Sequence, residues 1–423
     1  MNIEVISAIQ RAFFFKNRGI RAIVKEPKVR ICPKGIISYV IKAFVHKFLH
    51  SVLLMVYIAY PVKGKKHIME IDKSKPVLVT GANGYVASWL VKKLLDEGVT
   101  VHAAVRNPEN EAKTAHLTEA AKTAPGSIKY FSGDLMIPGS YREGMEGCEL
   151  VFHTASPFLN SVKDPQKELI EPAVKGTENV LQSANEVSSV KRVVLTSSCA
   201  AIYGDAIDTV NAPGGQLTEA VWNNTSSLDY QPYSYSKTLA EKKAWEMEKA
   251  QSRWDLVTIN MSFVMGPAFN VKNATSESIN VLKMFGGGEM KMGAPNLGVG
   301  VVDVRDVAEA HFKAGFTPEA NGRYITSAHN TSFLEMGTVL LPKYGDQFPL
   351  PKKAIPKWLL MAVGSFVDKS FSRQFVRTNV NIPWRADNSK IKNELGITFR
   401  PLQETMQESF QVLIDEGILK PKK

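Results

Sequence analysis

The chain has 423 residues, 44% hydrophobic and 22% charged, which is enough for a large apolar core and unlike a disordered segment. Its net charge of +11 sits in one place: residues 1–68 hold 13 basic residues against Glu4 and Glu26, leaving 39 basic and 39 acidic residues in the remainder. A neutral body excludes a nucleic-acid partner on charge grounds, and three cysteines in no C-x-x-C pair exclude a disulfide framework and a zinc site.

Residues 1–68 are basic, poor in acids and rich in aromatic clusters such as "AFFFKNRGIRAIVK", the composition of a targeting peptide or of a helix lying on a membrane surface. The apolar run Phe48–Val62 would reach about 22 Å as a helix, short of a hydrocarbon core of about 30 Å. It contains His50 and is preceded by Lys42, His46 and Lys47, so it reads as a peripheral or buried helix rather than a span. The segment also reads as a dispensable extension, because Met69 opens the polar lead "MEIDKSKPVLVTG" of a free-standing domain. His46 and His50 lack the glutamate of H-E-x-x-H and a third ligand, so no metal site is expected.

From Pro76 onward strand and helix alternate. "PVLVT" is a buried strand, "GYVASWLVKKLLDEG" an amphipathic helix, and "TVHAAVR" the next strand. A polar helix over Glu109–Ala121, the strands "IKYFSGD" and "LVFHTAS", a long helix from about Gln166 to Ala184 and the strand "VKRVVLTSS" follow. Alternation of this kind predicts an α/β fold: a Rossmann-type, doubly wound parallel sheet that binds ligands at the carboxyl ends of its strands.

The first strand runs into Gly81, Gly84 and Ala87, spaced G-x-x-G-x-x-A. Glycines there let the main-chain N–H groups of a helix N-terminus approach a pyrophosphate, so Gly81, Asn83, Gly84, Tyr85 and Val86 are expected to cradle a dinucleotide. At the end of the second strand stands Arg106, with Lys113 seven residues on, where an NAD-selective site would carry an acid. Cations suit a 2′-phosphate, hence NADP(H), with NAD(H) as the alternative. Asp134 closes the third strand, where a carboxylate can accept from an adenine amino group.

"QPYSYSKTLAEKKAWE" puts Tyr233 and Lys237 four apart on one face of a helix running to about Gln251, 35 residues after Ser198 ends the strand "RVVLTSS". Carbonyl reduction needs a hydride and a proton in the same site. Tyr233 would give the proton, the Lys237 ammonium would stabilise the phenolate and hold ribose hydroxyls, and Ser198 would polarise the substrate carbonyl. Cys199 is expected to be a packed residue with no thiolate role.

These motifs resemble the extended short-chain dehydrogenase/reductases, most of all the branch of dihydroflavonol reductases, cinnamoyl-CoA reductases and yeast-type methylglyoxal or aldehyde reductases. The resemblance covers about Lys75 to Leu419 and rests on "TGANGYVA", "VFHTASPF", "RVVLTSS", "YSYSK", "VDVRDVAEAH", "GRYITS" and "DNSKIKNELGITFRPLQETMQESF". It implies that Asp134 and Leu135 meet the adenine, that Thr154, Ala155 and Ser156 line the cofactor, and that Arg106 and Lys113 meet its 2′-phosphate. Three positions depart from the pattern. Met261 stands in "NMSFVMGP" for the usual proline, which predicts a less rigid loop to Gly266. Tyr203 stands where dihydroflavonol reductases carry an asparagine for the flavonoid ring, and "QPYSYSK" replaces the N-W-Y-C-type signature of cinnamoyl-CoA reductases.

The expected function is therefore NADPH-dependent reduction of a small aldehyde, ketone or 2-oxoaldehyde, with Tyr203 facing the substrate. A sugar-nucleotide epimerase or dehydratase holding NAD and a non-catalytic NADP-binding scaffold are the competing readings. The layout reads as an extension over 1–68, a mainly NADP-binding part over 69–268, and a mainly substrate-binding lobe over 269–423 that sends segments back. That lobe would be assembled from residues 207–227, 269–300 and the helices after Asn330. The catalytic body is expected to be cytoplasmic, with membrane association or organelle targeting left to residues 1–68. The sequence leaves the oligomeric state open.

Overall fold

Strand β1, Val77–Thr80, is buried at all four positions, as a strand covered on both faces must be. It pairs in parallel with β2 (Thr100–Val105) on one side and β4 (Leu150–His153) on the other. Beyond β2 lies β3 (Ser127–Ser132); beyond β4 lie β5 (Arg192–Ser198), β6 (Asp255–Met261) and β9 (Gly322–Thr326), giving the order β3-β2-β1-β4-β5-β6-β9. All of these pairings are parallel. The computed structural model describes residues 68–156, 162–271, 276–367 and 371–422. The readings made of residues 1–67 lie outside the described residues.

The longer helices are α1 (Tyr85–Asp96), α2 (Glu111–Thr123), α3 (Glu171–Glu186), α4 (Pro232–Lys249), α5 (Glu277–Gly287), α6 (Val304–Phe316), α7 (Lys357–Val367) and α8 (Leu402–Asp415). Leu90 and Leu94 of α1 and Ala308 and Phe312 of α6 pack on Val79, Val101 and Phe152 of one sheet face. Val180 and Leu181 of α3 and Ala244 of α4 cover Leu78, Val151 and Val193 on the other. Two covered faces make the sheet doubly wound, as predicted. The helix expected from Gln166 opens instead with a π-wound turn, Gln166–Ile170, before α3 begins at Glu171. Pro172 lacks the N–H that an α-turn would need at that point.

A second, three-stranded sheet has β8 (Gly298–Asp303) between β7 (Phe263–Met265), which is parallel to it, and β10 (His329–Ser332), which is antiparallel. Phe285 of α5, Met336 and Phe410 of α8 form its core. A Cβ on Gly300 would lie 2.2 Å from the Trp384 ring, so that position admits no side chain while Trp384 stays packed over β8. Met261 is the last residue of β6, paired with both Ser198 and Thr326. The stretch after it is tied down: Tyr85 Oη donates to the Gly266 carbonyl (2.7 Å) and Trp89 Nε1 to the Pro267 carbonyl (2.7 Å). Hydrogen bonds from α1 thus hold the far end of this stretch.

At the base of β5 the Arg192 guanidinium is fully buried and forks onto Asp255 (2.8 and 2.9 Å). Its Nη1 also donates to the carbonyls of Ala314 and Thr317, so the cation sits at the C-terminal, electronegative end of α6.

His311 of α6 is fully buried. Its Nδ1 donates to the Val307 carbonyl (2.8 Å), so its Nε2 must accept from the Thr196 hydroxyl (2.7 Å). Burial pushes the ring's pKa down to about 4, against about 6.5 in an unfolded chain. The unfolded state therefore binds more protons between those values, and stability present above the window is lost as pH falls through it. Lowering pH from 7 to 5 should cost about 2 kcal/mol through this one group. Urea unfolding of His311→Asn should show a correspondingly shallower pH dependence, and parallel curves for the two proteins would remove His311 as the source.

Candidate active site

The strand order reverses between β1 and β4, which opens a crevice at their carboxyl ends. Thr80, the last residue of β1, holds the two strand ends together. Its Oγ1 accepts from the N–H groups of Thr154 and Ala155 (3.1 Å each), and its carbonyl accepts from the Thr154 hydroxyl. With both lone pairs of Oγ1 used, its single proton must go to His153 Nδ1, 3.0 Å away. His153 is then the neutral Nε2–H tautomer. Burial, with the Lys237 charge second, pushes its pKa down to about 3.

The glycine turn lies against this clasp. Gly81 has φ +61°, and a Cβ there would meet Ala155 at 3.0 Å from its Cα; left-handed backbone and close approach both require glycine. Gly84 is the N-cap of α1 with no side-chain cap, so the first turn, including Tyr85 and Val86, presents backbone donors unopposed by a side chain. Asn83, half-buried in the turn between the two glycines, completes the cradle. An uncapped helix start beside a turn with no room for a Cβ fits a pyrophosphate.

Arg106 directly follows β2 and Lys113 stands in the first turn of α2; both are exposed and neither side chain makes an ion pair or hydrogen bond among the described residues. Beyond β3, Asp134 Oδ1 accepts from the Met136 N–H (2.8 Å), which leaves its other oxygen as an acceptor. Leu135 packs on Gly176 of α3 and its carbonyl accepts from Asn179 Nδ2 (2.7 Å). These residues carry the charge, acceptor and apolar surface that an adenosine 2′-phosphate needs.

Tyr233 and Lys237 share one face of α4. Lys237 Nζ donates to Ser156 Oγ (2.6 Å) and lies 5.6 Å from the Tyr233 ring centroid. Leu135, His153, Ala155, Ser156 and Lys237 line one cavity, so the ends of β3 and β4 and helix α4 meet there. Tyr233 itself is 46% exposed. Ser198 ends β5; its Oγ accepts from the Ala200 N–H (3.1 Å), which leaves its own proton for a further acceptor. Tyr203 is placed differently: half-buried, it meets the Trp384 ring edge-on at 5.7 Å within a small apolar cluster, and burial raises its hydroxyl pKa. Cys199 is buried and its thiol pKa is raised by burial, which suits a packed residue.

Sequence reasoning missed Glu241, one helical turn beyond Lys237 on the same face. Its carboxylate is buried and takes Ser197 Oγ and Asn260 Nδ2 on one oxygen and Arg323 Nε (2.7 Å) and Trp245 Nε1 (3.2 Å) on the other. Arg323 also donates to the carbonyls of Glu219 (2.9 Å) and Val221 (2.5 Å) and stacks on Trp222 at 3.9 Å. One carboxylate thus ties α4 to β5, β6 and β9, and through Arg323 to the loop at Glu219 and Val221. The spacing Tyr233–Lys237–Glu241 was visible as a helical stripe, but its partners come from distant strands. Gln231, at the N-cap of α4, has left-handed backbone (φ 56°) immediately before Pro232, which sets the angle at which this helix starts.

Comparison with known proteins places this geometry. The model of the NAD dependent epimerase/dehydratase family matches residues 77–325. Tetraketide alpha-pyrone reductase 1 of Arabidopsis thaliana is 35% identical, over 82% of this chain and 98% of its own length. Cinnamoyl-CoA reductase CAD2 of Medicago truncatula is 37% identical, over 80% and 95%. Among solved structures, yeast methylglyoxal/isovaleraldehyde reductase Gre2 complexed with NADPH superposes with a TM-score of 0.65 at 27% identity, over 81% of this chain and 99% of that one. The chain belongs to the NAD dependent epimerase/dehydratase family, in the branch of cinnamoyl-CoA, dihydroflavonol-type and Gre2-type reductases, and is an NAD(P)-dependent oxidoreductase.

Proposed function

We propose that the chain reduces a small aldehyde, ketone or 2-oxoaldehyde to the alcohol with NADPH, Tyr233 supplying the proton. The observation that carries this reading is the juxtaposition on α4: Tyr233 beside the Lys237 ammonium, with Lys237 reaching Ser156 at the end of β4. NADPH, when bound, supplies the hydride. The cradle Gly81–Val86 would hold its pyrophosphate, Arg106 and Lys113 its 2′-phosphate, Asp134 and Leu135 its adenine, and Thr154, Ala155, Ser156 and Lys237 its nicotinamide end.

The chain's own residues then handle the proton. Ser198 donates its hydroxyl hydrogen bond to the substrate carbonyl oxygen and fixes the carbonyl's position. Tyr233 transfers its phenolic proton to that oxygen as alkoxide character develops, and the phenolate left behind faces the Lys237 ammonium. His153, held neutral, adds no second cation beneath Lys237. Water reaches the partly exposed Tyr233 and returns the proton.

The small-carbonyl preference is supported by the Gre2 reductase, whose name records methylglyoxal and isovaleraldehyde, and by the lack of the cinnamoyl-CoA signature. NADPH oxidation should be seen with methylglyoxal or isovaleraldehyde and be weaker with cinnamoyl-CoA; the reverse order would transfer the assignment to thioesters. With the best substrate, Tyr233→Phe should lower kcat by about 10²–10⁴-fold while still binding NADPH. Unchanged kcat would remove Tyr233 as donor.

Arg106→Glu should raise the KM for NADPH about tenfold or more, since it removes a charge-assisted contact to a phosphate, and should leave NADH kinetics nearly unchanged. Equal effects on both cofactors would assign Arg106 another role. The catalytic body is taken to begin at Met69, so a chain starting there should match the full chain in kcat, and loss of activity would make residues 1–68 part of the enzyme.

A further inference from the structure

We propose that α7 and its flanks form a docking face for an anionic lipid surface, separate from the basic extension of residues 1–68. Helix α7 has two unlike sides. Leu360 and Gly364 face inward, against Val376, Val380 and Phe371. The outward arc carries Trp358, Leu359, Val363 and Phe366, with Trp358 71% and Phe366 88% exposed. Met292, 75% exposed, extends this apolar surface, because the backbone of Ala294 pairs with Lys353 and Ile355 just before α7. An exposed helical arc this apolar has no counterpart on the rest of the described surface, where exposed large apolar residues are scattered.

Charge identifies the occupant. Residues 347–386 hold seven basic residues and one acidic residue, in a body whose basic and acidic residues are equal in number overall. Lys352 and Lys353 lead into α7, and Arg373 and Arg377 lie on the short helix that packs against it. All four are exposed, and none of their side chains makes an ion pair or hydrogen bond among the described residues. A protein partner would have to match a Trp/Phe ridge fringed by unpaired cations. A headgroup layer does so directly: the rings enter the acyl boundary, and the lysines and arginines meet phosphates and carboxylates. The helix has 11 residues, about 16 Å at about 1.5 Å per residue, so it lies in the interface and does not cross it. No helix among the described residues is long and apolar enough to cross a membrane.

The face carries its own reporter, because Trp358 alone among the chain's six tryptophans is strongly exposed. The full chain is mixed with vesicles of phosphatidylcholine and phosphatidylserine whose acyl chains are brominated, and tryptophan emission is followed. Emission should be quenched, the quenching should vanish in Trp358→Phe, and it should weaken with added salt or with phosphatidylcholine alone. Phe366→Ser together with Lys353→Glu should weaken vesicle partition about tenfold or more while far-UV circular dichroism and the thermal unfolding midpoint are unchanged, which shows the variant is folded. The proposal is overturned if vesicle-bound protein shows equal quenching with and without Trp358, since another surface then binds. It is equally overturned if the protein stays in solution, or if Trp358 becomes shielded with rising protein concentration and no lipid, which would make the face a contact between two copies.

Discussion

The constraint on which the rest of the structure depends is the reversal of winding at β1. From that strand the chain builds outward to β2 and β3, then returns across β1 to lay down β4, β5 and β6 on the other side. Neighbouring crossovers leave in opposite directions there, so no helix closes the crevice above the ends of β1 and β4. Thr80 keeps that crevice narrow: one hydroxyl binds two backbone N–H groups of the β4 end and commits its proton to His153. Gly81 then has no room for a side chain against Ala155. Cradle and crevice are consequences of the same pair of strand ends.

The second organising contact is the Glu241 carboxylate. Donors from α4, β5, β6 and β9 fill it, and an ion pair with Arg323 neutralises it inside the protein. Removing either partner of such a buried pair typically costs about 3–5 kcal/mol, because the other charge is stranded. Its geometric effect matters more for the site. Fixing Glu241 fixes the rotation of α4 about its axis, and so the direction in which Lys237 and Tyr233, one and two turns earlier, project.

The polar interior is therefore arranged by proton inventory as much as by charge. His153 and His311 are each held neutral by burial, and a hydroxyl that donates to one ring nitrogen pins the tautomer. Lys237 Nζ stands next to Tyr233 and donates to Ser156 Oγ, above a His153 ring that carries no charge.

The sequence by itself determined the alternation of strand and helix, the glycine turn, the one-turn spacing of Tyr233 and Lys237 and the family, because each rests on local patterns: hydrophobic period, turn chemistry, or residues one helical turn apart. It also located the charge of the chain in residues 1–68. Only the tertiary structure brought Thr80, His153 and Glu241 to their partners, since all of these but Trp245 lie 17 to 82 positions away and no local period records them. The same holds for Tyr203, whose seat is made by Trp384, and for the stretch after Met261, whose far end is held by hydrogen bonds from α1. A strongly apolar helix such as α7 reads in sequence as core; only its packing on one side shows which half of that apolar surface faces outward.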